Sequence, residues 1–131
     1  MKLLDSDTSV EHIRGNEQVL ARLAVELGAV ATTLITAGEL YYGAAKSRDP
    51  EVGGASVDAF LLHFPPLTLD RASARIFGDL KSGLEREGQR LPDADLLIAS
   101  ICLAHGAVLV TGNRRHFDRI PGLTIEDWID G

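Results

Sequence analysis

Short apolar runs alternate along this chain with stretches in which apolar residues return every three or four positions. Lys2 to Leu4 is a brief apolar run ending in Asp5, and Val30 to Leu34 is a β-branched run ending near Thr36. Both read as buried strands. Ala107 to Val110 reads the same way. Pro65-Pro66 precedes a shorter strand over Leu67 to Leu69, with proline confined to its start, and Leu123 to Ile125 is the last one expected. Between them the spacing predicts helices. These cover Val10 to Ile13, then Val19, Leu20, Leu23, Ala24 and Leu27 up to a stop at Gly28, then Leu40 to Ala45, Val57 to Leu62, Ala72 to Leu84, and Leu96 to Ala104 closed by His105-Gly106. Arg48-Asp49-Pro50 and Gly53-Gly54 predict a loop between helices over Lys46 to Ser56. Strands alternating with helices imply parallel crossovers, and so an α/β/α sandwich with a central, mostly parallel sheet flanked by helices.

Length and composition narrow the class without changing that picture. The 131 residues are one domain's worth, expected over 1–131, and 45% hydrophobic with 24% charged residues is ordinary globular composition. No apolar run approaches the roughly 20 residues of a membrane helix. Asp5 follows Met1-Lys2-Leu3-Leu4 at once, leaving no apolar core for a signal peptide, so a cytoplasmic location is expected. Cys102 is the sole cysteine, which excludes an internal disulfide. The net charge of −6 argues against a protein that coats nucleic acid with a broad basic surface. It does not argue against a nuclease whose carboxylates surround cations, because a bound divalent ion inverts the local sign.

Acidic residues stand where parallel sheets place their ligands, outside the carboxyl ends of strands. Asp5 ends the first strand with Asp7 two residues on. Glu39 follows the second strand, Asp93 and Asp95 open the helix before the third, and Asn113 comes after that strand. Two unit charges 4 Å apart repel by about 4 kcal/mol at an effective dielectric near 20, so convergence requires a compensating cation. Oxygen ligands without His or Cys suit Mg²⁺ or Mn²⁺. Several of these residues also have a plainer reading. Thr36-Ala37-Gly38-Glu39 fits a capping box. Asp93 and Asp95 lie in a first turn after Pro92, where any acid complements the helix dipole. Asn113 suits a turn or a cap for the helical turn through His116 and Phe117. Asp5 resists such a reading, since a carboxylate directly after an apolar strand is costly unless paired or bound.

Other chemistries find little support. There is no Gly-x-Ser-x-Gly elbow, phosphate-binding loop or dinucleotide glycine fingerprint. Cys102 lies in an apolar helical stretch and reads as buried. His12, His63, His105 and His116 are scattered without ligand spacing, with His105 ending a helix beside Gly106. Tyr41-Tyr42 reads as half core and half surface, and the Trp128 ring is expected to pack on the body.

Four motifs in order carry a family resemblance over nearly the whole chain. They are Leu3-Leu4-Asp5-Ser6-Asp7-Thr8; Glu39-Leu40-Tyr41-Tyr42-Gly43; Leu91-Pro92-Asp93-Ala94-Asp95-Leu96; and Leu109-Val110-Thr111-Gly112-Asn113 through Phe117 to Ile120-Pro121-Gly122-Leu123. In these the chain resembles the PIN-domain toxins of VapBC-type toxin–antitoxin systems. The resemblance implies an endoribonuclease using Mg²⁺ or Mn²⁺, with Asp5, Glu39 and Asp95 as catalytic, metal-binding acids. It also implies a homodimer and inhibition by a VapB-type antitoxin whose basic side chain enters the acidic pocket. Asn113 stands where many members have Asp, with Asp7 and Asp93 available to supply further charge.

Lys46, Arg48, Arg114, Arg115 and Arg119 are candidate phosphate contacts on the RNA, although each taken singly reads more readily as part of a solvated charged face. Leu40, Tyr41, Phe60 and Leu61 suit either the core or a second subunit. Two alternatives compete. Asp5-Ser6-Asp7 partly imitates the Asp-x-Asp loop of haloacid-dehalogenase-like phosphatases, in which the first Asp is a nucleophile. A catalytically inactive PIN-fold module that binds a partner is the other.

Overall fold

Leu3 and Leu4, neighbours in the first strand β1 (Lys2–Leu4), are both buried, yet they belong to different hydrophobic clusters. Successive side chains of a strand point to opposite faces, so this pair shows a sheet covered on both sides. The structure is a computed structural model and describes residues 1–131. Its other strands are β2 (Val30–Thr33), β3 (Pro66–Leu67), β4 (Val108–Val110) and β5 (Ile125–Glu126). They lie in the order β3-β2-β1-β4-β5, and every neighbouring pair is parallel.

Seven helices cover the two faces: α1 (Ser6–Ile13), α2 (Glu17–Ala24), α3 (Leu34–Ala45), α4 (Pro50–His63), α5 (Arg71–Arg86), α6 (Asp93–Ala104) and α7 (Arg114–Phe117). On one face Leu3, Ala31 and Leu109 meet Leu84 of α5, Leu96, Ile98 and Ile101 of α6, and Phe117 of α7. On the other, Leu4 and Val110 meet Val19 of α2, Leu40 of α3, Val57 and Phe60 of α4, and Trp128. The α/β/α sandwich with its parallel sheet is therefore as the alternation of elements predicts. Cys102 and Trp128 are buried as expected, and Leu40 and Phe60 are core residues rather than exposed candidates for a second subunit.

Several local expectations are corrected. The loop expected over Lys46 to Ser56 is mostly helix, because Asp49 caps α4 by accepting from the Val52 amide at 3.2 Å and Pro50 takes the first turn. Gly53 serves there as a packing residue: a Cβ at that position would stand 3.1 Å from Ala44 Cβ and 3.3 Å from Ala44 Cα on α3. Helix α2 ends at Ala24 instead of running to Leu27, which is fully exposed. Just past that end, Glu26 reaches Lys2 Nζ at 2.6 Å instead of continuing the helical path. The two edge strands are shorter than expected and shifted along the chain, β3 to Pro66–Leu67 and β5 to Ile125–Glu126, with Thr32 opposite Pro66 and Val110 opposite Glu126. Tyr41 and Tyr42 are both exposed, since the buried face of α3 is taken by Thr36, Ala37 and Leu40. The Tyr41 hydroxyl donates to Asp58, and Lys46 Nζ lies 4.6 Å from the Tyr42 ring centroid.

Candidate active site

Register decides where the first acid stands. Leu4 is paired with Val110, so the next residues, Asp5 and Thr111, leave β1 and β4 side by side. Thr111 Oγ1 donates to Asp5 Oδ2 at 2.8 Å, and both residues are buried, Asp5 with 6% exposure. Burial pushes the Asp5 carboxyl up to about 7; the Thr111 hydrogen bond opposes this, and the negative charges of Asp7 and Asp95 add to it. The Asp5 backbone carbonyl also starts α1, accepting from the amide and hydroxyl of Ser9 at 2.9 and 2.7 Å.

Asp7, in the first turn of α1, has both carboxylate oxygens engaged. Oδ1 accepts from the Thr8 amide at 2.6 Å, and Oδ2 from the Gly112 amide at 2.9 Å. Glu39 stands on the second turn of α3 and accepts from the Ser6 hydroxyl. Its capping-box reading does not hold. The α3 cap is Thr33, whose hydroxyl oxygen accepts from the Thr36 amide at 3.0 Å, leaving Glu39 free to face α1. Asp95 opens α6, with Oδ2 2.7 Å from His116 Nδ1 on α7.

Asp5, Ser6, Asp7, Glu39, Asp95 and Asn113 line one hollow of about 180 Å³ without a hydrophobic residue among them. No three acids already close around a single point. Each acid leans on its own hydrogen-bond donor, as like charges at close quarters require. The donor set is oxygen only, which fits a hard divalent cation. Asp93 is the exception to the expected set: its carboxylate pairs with Lys81 at 3.0 Å and does not line the hollow. Both acids sit on the first turn of α6, yet two residues apart on a helix they face in different directions. Asn113 does line the hollow, and its amide makes no cap for α7.

The candidate cations surround the site loosely. Arg114 pairs with Asp118 at 3.7 Å, and Arg48, Arg115 and Arg119 are exposed. Lys46 and Arg14 line an adjoining groove of about 440 Å³ between α1, α3 and α4, which shares Ser6 and Glu39 with the acidic hollow. Arg14 escaped the sequence reading, as did Thr111, Ser6 and His116. The latter three lie inside the quoted motifs, but their partners are 106, 33 and 21 residues away, so neighbouring sequence gives no signal of the pairing.

The PIN domain family model matches residues 2–123. The chain belongs to the PIN-domain family. This PIN domain is similar to the tRNA(fMet)-specific endonuclease VapC of Salmonella typhimurium, at 35% identity over 127 residues covering 96% of each chain. It is also similar to ribonuclease VapC2 of Haemophilus influenzae, at 34% identity covering 86% of this chain and 85% of that one. In three dimensions it resembles the crystal structure of VapBC2 from Rickettsia felis bound to a DNA fragment from the promoter. The TM-score there is 0.91 at 31% identity, covering 97% of this PIN domain and 98% of that chain. No lysine lines the hollow, and the relatives named above are an endonuclease and a ribonuclease rather than phosphatases. No helix is long and apolar enough to cross a membrane.

Proposed function

We propose that this PIN domain is an endoribonuclease toxin that hydrolyses phosphodiester bonds in cellular RNA, depends on Mg²⁺ or Mn²⁺, and is inhibited by a VapB-type antitoxin. The ribonuclease and endonuclease names of its relatives support the reaction, and the VapBC assembly of its structural neighbour supports the partner. The observation that carries the reading is the single hollow in which Asp5, Glu39 and Asp95 meet from three separate elements. Under it, these three acids hold the cation, with Asp7 supplying further negative charge. A divalent ion bound there lowers the pKa of a water and offsets the charge that gathers on a phosphodiester in the transition state. Asp5, pushed up to about 7 by burial, holds a proton readily until a cation displaces it. Thr111 and Ser6 orient Asp5 and Glu39 through their hydroxyls. The acidic hollow equally suits a basic side chain of an antitoxin, which blocks cation and RNA together. The place of action is the cytoplasm, where RNA is available.

Incubation with mixed cellular RNA tests this, comparing the parent with Asp5→Asn and Asp95→Asn in Mg²⁺, Mn²⁺ or chelator. Cleavage is expected only for the parent with metal. Cleavage by both variants at unchanged metal dependence would refute the assignment, and phosphate release from small phosphomonoesters would point to a phosphatase instead.

A further inference from the structure

His116 Nδ1 lies 2.7 Å from Asp95 Oδ2, and the ring is the one hydrogen-bond partner of that carboxylate. We propose that His116 is a positioning residue that holds Asp95 in the orientation in which it binds a divalent cation, an inference resting on the reading of the hollow as a cation site. A carboxylate only accepts, so the ring carries its hydrogen on Nδ1 and donates it to Oδ2. That leaves Asp95 Oδ1 for the cation, with the torsions of the side chain settled beforehand. The other acids have comparable devices: Thr111 for Asp5, Ser6 for Glu39, and Gly112 with Thr8 for Asp7. Asp95 has only the histidine.

The ring is itself well placed for this duty. Helix α7 has four residues and is anchored by Phe117, fully buried in the same cluster as Leu96, Ile98 and Ala99 of α6. Residues adjacent to Asp95 and adjacent to His116 therefore pack in one core, which sets the distance between the two side chains. The Asn113 amide stands 3.1 Å from the same Nδ1. The atom nearest the ring is Asn113 Nδ2; with the Nδ1 proton directed at Asp95, Nδ1 has no lone pair to accept from it, so the ring's hydrogen bond is the one to Asp95.

Calorimetric titration of the full chain with Mn²⁺, without RNA, reads the effect directly. His116→Ala is expected to weaken Mn²⁺ binding by roughly ten- to a hundred-fold, the usual loss when the orienting partner of a ligand is removed. His116→Asn should recover most of it, because an Asn Nδ2 stands as many bonds from the backbone as His Nδ1. His116→Gln, whose amide is one carbon further out, should not. In an Asp95→Asn background, His116→Ala should bring no further loss. Parent-like binding by His116→Ala, or losses that add in the double variant, would overturn the proposal. If His116→Ala does not fold, the contrast between Asn and Gln decides, and equal affinities for those two would overturn it. Failure of the cation-site reading looks different: Asp5→Asn and Asp95→Asn would then bind Mn²⁺ as the parent does, and the role of His116 falls with it.

Discussion

Thr111 and Asp5 are 106 residues apart and share a buried hydrogen bond of 2.8 Å at the carboxyl end of the sheet. That bond opposes the burial that drives the Asp5 carboxyl upward. The same hydroxyl oxygen accepts from the Asn113 amide at 3.0 Å, so one side chain both steadies the acid and shapes the turn after β4.

Replacing Thr111 by valine keeps the side-chain shape and removes that donor. The Asp5 carboxyl should then rise further, moving the acid limb of the kcat/KM profile for RNA cleavage to higher pH and lowering activity at neutral pH by roughly ten-fold, with about 1–3 kcal/mol of stability lost. Thr111→Ser should restore the profile. A Val variant whose acid limb stays in place would show that the bond does not tune Asp5.

The raised Asp5 pKa also predicts how stability varies with pH in chelator. Its unfolded value is near 3.8 and its folded value about 7, so between them the native chain holds a proton that the unfolded chain has released. This contribution is complete below the lower value, declines as pH rises, and is gone above the upper one. Its size is on the order of 4 kcal/mol. Urea denaturation of the parent beside Asp5→Asn should show the parent losing ground by about 2–3 kcal/mol between pH 5 and pH 8, and regaining it with Mn²⁺. Parallel pH profiles for the two proteins would contradict this.

Two adjacent glycines of α4 separate packing from propensity. Gly53→Ala places a methyl 3.1 Å from Ala44 Cβ and 3.3 Å from Ala44 Cα, which should cost about 1–3 kcal/mol as overpacking. Nothing lies within 4 Å of a methyl at Gly54, so Gly54→Ala should stabilise by about 0.5–1 kcal/mol through helix propensity. Chemical denaturation of both variants checks the opposite signs, and equal signs would count against close α3–α4 contact.

Asp93 and Asp95 should differ sharply despite their shared turn. Because Asp93 faces Lys81, Asp93→Asn is expected to leave Mn²⁺ affinity and RNA cleavage within about two-fold of the parent and to alter only a part-exposed ion pair, worth about 0–1 kcal/mol. A loss comparable to that of Asp95→Asn, measured by the same titration, would bring Asp93 back into the site.

What the sequence determined by itself is the frame: which segments are strands, that they run parallel, and which acids follow their carboxyl ends. Those are consequences of local periodicity and chain direction, and Asp5, Glu39 and Asp95 could be selected from them together with the ordered motifs. Tertiary structure decided the partners. Whether Glu39 caps a helix or faces the hollow depended on Thr33 taking the cap, and the outward turn of Asp93 depended on Lys81 from another helix. The roles of Thr111 and His116 depended on a strand register and on a buried Phe117. Hydrogen bonds of about 3 Å between residues tens of positions apart require backbones fixed by packing across the whole core, and no short stretch of sequence contains that information.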